Sequence, residues 1–229
     1  MASDIDLCNL ALSHLGNEAS IASFDEQSVE AEKCKVFYPI ARGNILQAHD
    51  WSFATKRKSL ALINNPANIP PDWSFAYALP SDNISFMQVL LPPIQTSSSV
   101  FSIFDLTFGL NNLPVGTANL LEEPYIIEED ATTGASYIYT NAEKAIGRYV
   151  FLQTNTAKYT PLFNHALSRL LSSYLAGPLI KGSEGMRIAE AQMSMYAKMD
   201  LPNATASDSQ STNDERYNNF VPQGIAARR

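Results

Sequence analysis

Apolar side chains recur at helical spacing from the start of the chain. Ile5, Cys8, Leu12 and Leu15 share one face behind Ser3 and Asp6, which stand three apart as in a capping box, and Gly16 supplies a stop. A connector through Ser23 leads to Asp25 and Glu26, acids that complement the dipole of a helix N-terminus, and the second helix is predicted to begin there. Cys34, Tyr38, Ala41, Ile45 and Ala48 then alternate in steps of four and three, with Lys33, Lys35 and Arg42 outside or beside the stripe. This helix runs into His49-Asp50-Trp51-Ser52-Phe53.

From Lys56 to Lys158 the texture changes. Pro66, Pro70, Pro71, Pro80, Pro92, Pro93, Pro114 and Pro124 break the segment into pieces that no long helix contains. Strands are predicted over 59–63, 75–79, 84–91, 100–108, 125–129, 136–140 and 145–152, several of them rich in β-branched and aromatic residues. Thr160-Pro161 then reads as an N-cap with proline at the first helical position, followed by the stripe Phe163, Leu167, Leu170 and Tyr174, and Gly177-Pro178 ends or kinks that helix. A fourth helix is predicted over 183–199, with Ile188, Gln192, Met195 and Met199 along one side.

After Leu201-Pro202, residues 203–213 are almost all Ser, Thr, Asn, Ala, Asp or Gln and read as a polar tether. Tyr217 and Phe220 restore aromatic character before Arg228-Arg229, the pattern of a docking arm or of a frayed terminus. The expected fold is α+β: an antiparallel helical bundle interrupted by an inserted β-rich domain, with an extended C-terminal arm. The divisions fall at 1–55, 56–158, 159–201 and 202–229.

Composition narrows the function. The 229 residues are 45% apolar and 17% charged, enough for a chain to bury about 70% of its unfolded surface, so general disorder is excluded. Sixteen basic against 23 acidic residues give a net charge of −7, the wrong sign for a protein that neutralises many phosphates itself. The N-terminal residues lack a basic signal-peptide region and no apolar run approaches a membrane span, so a cytosolic setting without membrane contact is expected. Cys8 and Cys34 lack ligand spacing, which argues against structural zinc. In a reducing compartment buried thiols are favoured over a disulfide between them.

Catalytic chemistry has few carriers. Only His14, His49 and His165 are available, and His49-Asp50 is the best acid–base candidate, although a histidine near a helix C-terminus has a dipole explanation. Phosphate-loop, dinucleotide and nucleophile-elbow patterns are absent, and no catalytic residue, metal or cofactor is expected. The acids Glu122, Glu123, Glu128, Glu129 and Asp130 read as a solvated edge rather than a cation site. Lys56-Arg57-Lys58 reads as a solvated bend. Trp51 and Phe53 are expected to plug the junction between the two domains.

The sequence Leu10-Ala11-Leu12-Ser13-His14-Leu15-Gly16, then Ser23-Phe24-Asp25-Glu26-Gln27-Ser28 with Glu30-Ala31, then His49-Asp50-Trp51-Ser52-Phe53, resembles the tail tubular protein A family, the head-to-tail adaptors of short-tailed bacteriophages. The quotable motifs lie before the β-rich segment and are structural; the later helices and polar tail follow the family's layout only in arrangement. The resemblance implies a virion protein assembled in the host cytoplasm, a ring of twelve copies between the portal protein and a tail nozzle of the tail tubular protein B kind. DNA would pass through the lumen without sequence-specific binding. It implies a C-terminal arm reaching the portal, with Tyr217, Phe220, Arg228 and Arg229 as its docking candidates, and a β-rich part facing the nozzle. The acids named above are the candidates for a lumen wall that repels DNA. The alternatives are a tail-completion or stopper protein of another tail type, and a phage hydrolase or DNA-packaging factor using His49 and the acids.

Overall fold

The computed structural model describes residues 2–16, 20–63, 69–91, 122–130 and 134–211. The chain is mixed α and β and divides into two compact units, Met1–Ala54 with Gln153–Arg229, and Thr55–Leu152.

The first unit is helical. Helix α1 (Asp4–His14) opens on a complete capping box: Asp6 N–H donates to Ser3 Oγ at 3.1 Å, and Ser3 N–H donates to the Asp6 carboxylate at 2.8 Å. Two orphan donors of the first turn are thereby satisfied, and hydrogen bonding by Ser3 holds the Asp6 carboxyl below its ordinary range. Gly16 follows at φ 71°, the left-handed conformation that suits a helix stop.

Helix α2 (Val29–Gln47) begins three residues later than the acids imply. Ser28 is its cap, accepting from Ala31 N–H at 3.2 Å. Asp25 instead pairs with Lys35 at 2.8 Å, and Glu26 accepts from Ala22 N–H, so both acids tie down the connector. The predicted stripe is buried at Cys34, Tyr38, Ala41 and Ile45.

Helix α3 (Pro161–Leu179) starts where Thr160 Oγ1 accepts from Phe163 N–H, and it runs through Gly177-Pro178 to end one residue beyond. Its inward residues Phe163, Ala166, Leu167, Leu170, Leu171 and Leu175 are buried, and helices α1, α2, α4 (Ser183–Met195) and α5 (Leu201–Ser211) all pack against it. Burying each large side chain contributes about 1.5–3 kcal/mol, so this one helix organises most of the unit's hydrophobic stabilisation. Between α3 and α4 the chain approaches itself closely: a Cβ on Gly185 would lie 1.7 Å from the carbonyl oxygen of Ile180, so only glycine fits.

The expected tether corrects to a helix. After α4 a single π-helical turn (Tyr196–Asp200) leads into α5, so 203–211 are helical. Ala204 and Asp208, four apart and therefore on one face, are both buried, while the polar residues between them remain solvated. One alanine and one aspartate leave no hydrophobic periodicity for a sequence reading to detect. The docking candidates Tyr217, Phe220, Arg228 and Arg229 lie outside the described residues.

Among the described residues the second unit holds seven strands in two antiparallel sheets: β1 (Thr55–Ser59), β2 (Phe75–Ala78), β3 (Asn83–Leu90), β4 (Glu122–Glu123), β5 (Tyr125–Glu129), β6 (Ser136–Thr140) and β7 (Ile146–Phe151). One sheet has the order β1-β7-β3-β4, the other β2-β6-β5. Leu60, Tyr77, Val89, Ile138, Ala142 and Ala145 form the core, joined by Phe75, Phe86 and Tyr125. Tyr77 anchors it through its one hydroxyl proton, which lies within reach of the carbonyl oxygens of both Ala142 and Glu143, at 2.7 and 2.6 Å. The strand predicted over 100–108 lies outside the described residues.

Two boundaries move. The first strand begins at Thr55, so Lys56-Arg57-Lys58 is an edge strand paired with β7 rather than a bend; an edge facing water tolerates charge that a central strand would not. Residues 153–158, expected in the β-rich domain, belong to the helical unit.

Candidate functional site

Trp51 and Phe53 follow α2 around a short 3-10 turn, Ser52–Ala54. Trp51 is fully buried, and its indole N–H donates to the Ile45 carbonyl at 2.8 Å. Phe163 of α3 meets both rings edge to face, each at 4.9 Å, and Tyr159 closes on Phe163 at 4.7 Å. The structure thus places the two aromatics expected at a domain junction in a cluster whose ring partners, His49, Tyr159 and Phe163, belong to the helical unit. Such edge-to-face pairs add roughly 0.5–1.5 kcal/mol beyond the burial itself. Burial also pushes the Tyr159 hydroxyl up to about 12, consistent with its role as a donor, to the Gln153 carbonyl.

A polar node lies beside this cluster. Asp208 of α5, its side chain 2% exposed, accepts from the Ser52 hydroxyl at 2.6 Å and from Ser52 N–H at 3.0 Å, and one oxygen lies 3.4 Å from His49 Nε2. Histidine, serine and aspartate therefore meet, but in the wrong order for nucleophilic catalysis. A triad needs the hydroxyl to hand its proton to imidazole, whereas here the carboxylate sits between the two and takes the hydroxyl's hydrogen bond. The arrangement is suited to holding α5 against the turn after α2. Sequence reading singled out His49 but missed both partners, because the residues that complete the node are 156 positions apart.

The other two histidines join a second network that ties four helical segments together. His165 Nδ1 and Arg169 Nε lie 3.3 and 3.2 Å from the two oxygens of Asp200. Arg169 also donates to Gln192, which donates in turn to the His14 carbonyl at the end of α1, satisfying one of that helix's terminal acceptors. His14 Nε2 lies 3.2 Å from Ser168 Oγ; that hydroxyl donates to the His165 carbonyl, which leaves the imidazole N–H to donate to it. Burial, with the nearby charges of Arg169 and His165, lowers the His14 pKa to about 4 against the opposing pull of Asp200. Cys8 and Cys34 are both buried as free thiols, and hydrogen bonding to Cys34 with burial raises the Cys8 thiol far above its ordinary range.

The acids named as lumen candidates do not act as one cluster. Glu122 and Glu123 pair with Leu90 and Val89 in one sheet; across Pro124 the chain enters the other sheet, where Glu128 and Glu129 are exposed on β5. Asp130 corrects to a buried residue: the hairpin folds back on it, its N–H donating to Ala135 O at 2.9 Å and its carbonyl accepting from Gly134 N–H at 2.8 Å. Among the described residues no three His, Cys, Asp or Glu side chains are grouped to hold a metal ion, and no helix is long and apolar enough to cross a membrane.

The helical unit's surface carries apolar side chains outside its core, among them Met195 and Met199 of the stripe expected along the fourth helix, where only Gln192 is buried. Val29, Val36 and Ile40 on α2 are exposed and fall at i, i+7 and i+11, one face of the helix. On α4, Met186 and Met193 are exposed at i and i+7, Met186 to 67%, and Met195 and Met199 are exposed beyond them. No family model matches the chain, and no curated protein sequence matches it.

Proposed function

We propose that this chain is a structural head-to-tail adaptor of a short-tailed bacteriophage. In this reading an antiparallel bundle, interrupted by the β-rich insertion, packs copy against copy into a ring between the portal and the tail nozzle, and DNA passes through the lumen. The observation that carries it is the pair of unlike apolar faces on one helical unit, the valine and isoleucine face of α2 and the methionine face of α4. Exposed apolar side chains that recur on one helix face are candidates for an interaction site. Two different faces on one molecule describe a heterologous contact, and a heterologous contact closes into a ring when its rotation permits. Methionine, flexible and polarisable, adapts its shape to such a partner. The arm beyond Ser211 is the part assigned to the portal. The net charge of −7, multiplied around a ring, disfavours adhesion of DNA to the wall.

The test is negative-stain imaging of the purified protein alone and mixed with its candidate portal. A second ring stacked on the portal only in the mixture supports an adaptor whose assembly the portal templates, and rings in both samples support intrinsic assembly. Monomers in both, with no complex by sedimentation, overturn the proposal.

A further inference from the structure

We infer that copies of this chain recognise one another through the β unit, the basic edge strand β1 of one copy against the acidic edge strand β5 of the next. This rests on the ring reading and specifies the contact that orients neighbours within it.

Among the described residues, strand β1 is an edge of the sheet β1-β7-β3-β4, and β5 is an edge of the sheet β2-β6-β5. Each spans five residues. On β1, Lys56 is already engaged: it forms an ion pair with Asp82 and lies 4.3 Å from the centre of the Phe151 ring. Arg57 and Lys58 are exposed, and among the described residues neither forms an ion pair. Arg57 also stands directly opposite Arg148 on β7, and Arg148 opposite Gln88 on β3, to which it donates at 3.0 Å. Residues directly opposite on an antiparallel ladder have Cβ atoms about 5 Å apart, and like charges so placed are destabilising, so Arg57 gains from an incoming anion. On β5, Glu128 and Glu129 are exposed without an ion pair among the described residues, beside Ile127, which is 40% exposed on the same strand.

Between β1 and β5 the charges select one pairing out of three. Two β1 edges would set lysine and arginine against lysine and arginine, and two β5 edges would set glutamate against glutamate; both are repelled. Of these three only β1 against β5 brings opposite charges together, and β4, the other acidic edge, spans two residues and does not match the five of β1. Because the two edges are different surfaces of the same molecule, that contact is heterologous, the kind a ring requires, and the like-charge clashes exclude a closed two-fold dimer through either edge. Phosphates would also suit the arginine row, but a chain of net charge −7 repels a polyanion, whereas the carboxylates of a second copy arrive on an edge of matching length. Complementarity of this kind chiefly sets register and encounter rate, leaving the apolar faces of the helical unit to supply area. The assignment moves Glu128 and Glu129 from the lumen to the contact between copies.

The test uses two full-length variants, R57E/K58E and E128K/E129K, with charge-neutral counterparts R57Q/K58Q and E128Q/E129Q as versions that keep the fold if a reversal does not. Assembly is measured by sedimentation velocity and mass photometry, alone or on the portal, whichever state forms the wild-type ring. Each reversal is expected to weaken assembly at least about tenfold at low salt, each neutral variant less, and an equimolar mixture of the two reversals is expected to restore it, because alternating copies then present opposite charges at every contact. Wild-type assembly with reversals that assemble equally well overturns this inference and leaves the ring reading standing. Reversals that fail both alone and together overturn the pairing of these two edges. A wild type that stays monomeric with and without portal overturns the ring reading and this inference with it.

Discussion

The docking of α5 includes one buried carboxylate, Asp208, and its removal is a quantitative test of the helical unit. Replacing Asp208 by alanine deletes two hydrogen bonds to Ser52, at 2.6 and 3.0 Å, and the favourable approach of His49. Hydrogen bonds to a charged group contribute about 1.5–3 kcal/mol each when both partners are buried. Ser52 is exposed, so water replaces its lost acceptor and each bond is discounted to about 1 kcal/mol; the expected loss is about 2 kcal/mol. For a chain of this size that lowers Tm by about 4–8 °C. Chemical denaturation of Asp208→Ala, Ser52→Ala and the double variant gives the coupling directly, expected at about 1 kcal/mol, and proteolysis within α5 should become faster. If Asp208→Ala changes stability by less than about 0.5 kcal/mol, the segment is the solvated tether its composition describes, and the node is incidental.

Acid should also destabilise the fold through His14. Its pKa falls from 6.5 in the unfolded chain to about 4, so the unfolded state binds more protons between those values; stability is complete above about 6.5 and is lost as pH falls toward 4. Because His14 is only partly buried, the full linkage is discounted to about 1–2 kcal/mol, and His14→Gln should flatten that part of the stability curve. Gly185→Ala forces a methyl group against the Ile180 carbonyl and should cost at least about 3 kcal/mol, read as a lower denaturation midpoint with the helical signal of α4 weakened. If the adaptor proposal holds, ending the chain after Ser211, rather than before Asn203, should leave Tm within about 1 °C while abolishing portal binding; a large loss of Tm would show that the removed residues contribute to the core.

Much of the helical unit was legible because its signals are local. A capping box spans three residues, an apolar stripe repeats within one helix, and Thr160-Pro161 marks a helix start without reference to anything distant. The strands 125–129 and 136–140 were legible for the same reason, since β-branched and aromatic runs bounded by breakers identify themselves. The Ser28 cap was missed in favour of Asp25 and Glu26 because any of the three is a good N-terminal residue, and the choice is made by what else each can bond: Lys35 and Ala22 N–H take the acids.

The candidate sites were legible in part. Trp51 and His49 stand out in any reading, yet their partners Phe163 and Asp208 come from helices more than a hundred residues later. The exposed valines and methionines look, in one dimension, like any other core stripe, and only the helix packing shows which apolar positions are left outside.

By itself the amino-acid sequence determined the α+β composition, the caps and breakers of the main elements and an acidic, weakly charged chain, because propensity, periodicity and net charge are sums over neighbours. The tertiary structure alone decided that 203–211 is a helix, that Asp130 is buried while Glu128 and Glu129 are not, and that Arg57 faces Arg148 across a sheet edge. Each of these depends on a partner brought near by chain closure. The free energy of a buried carboxylate or of an unpaired charge is set by what stands within a few ångströms in space, and sequence spacing does not carry that distance.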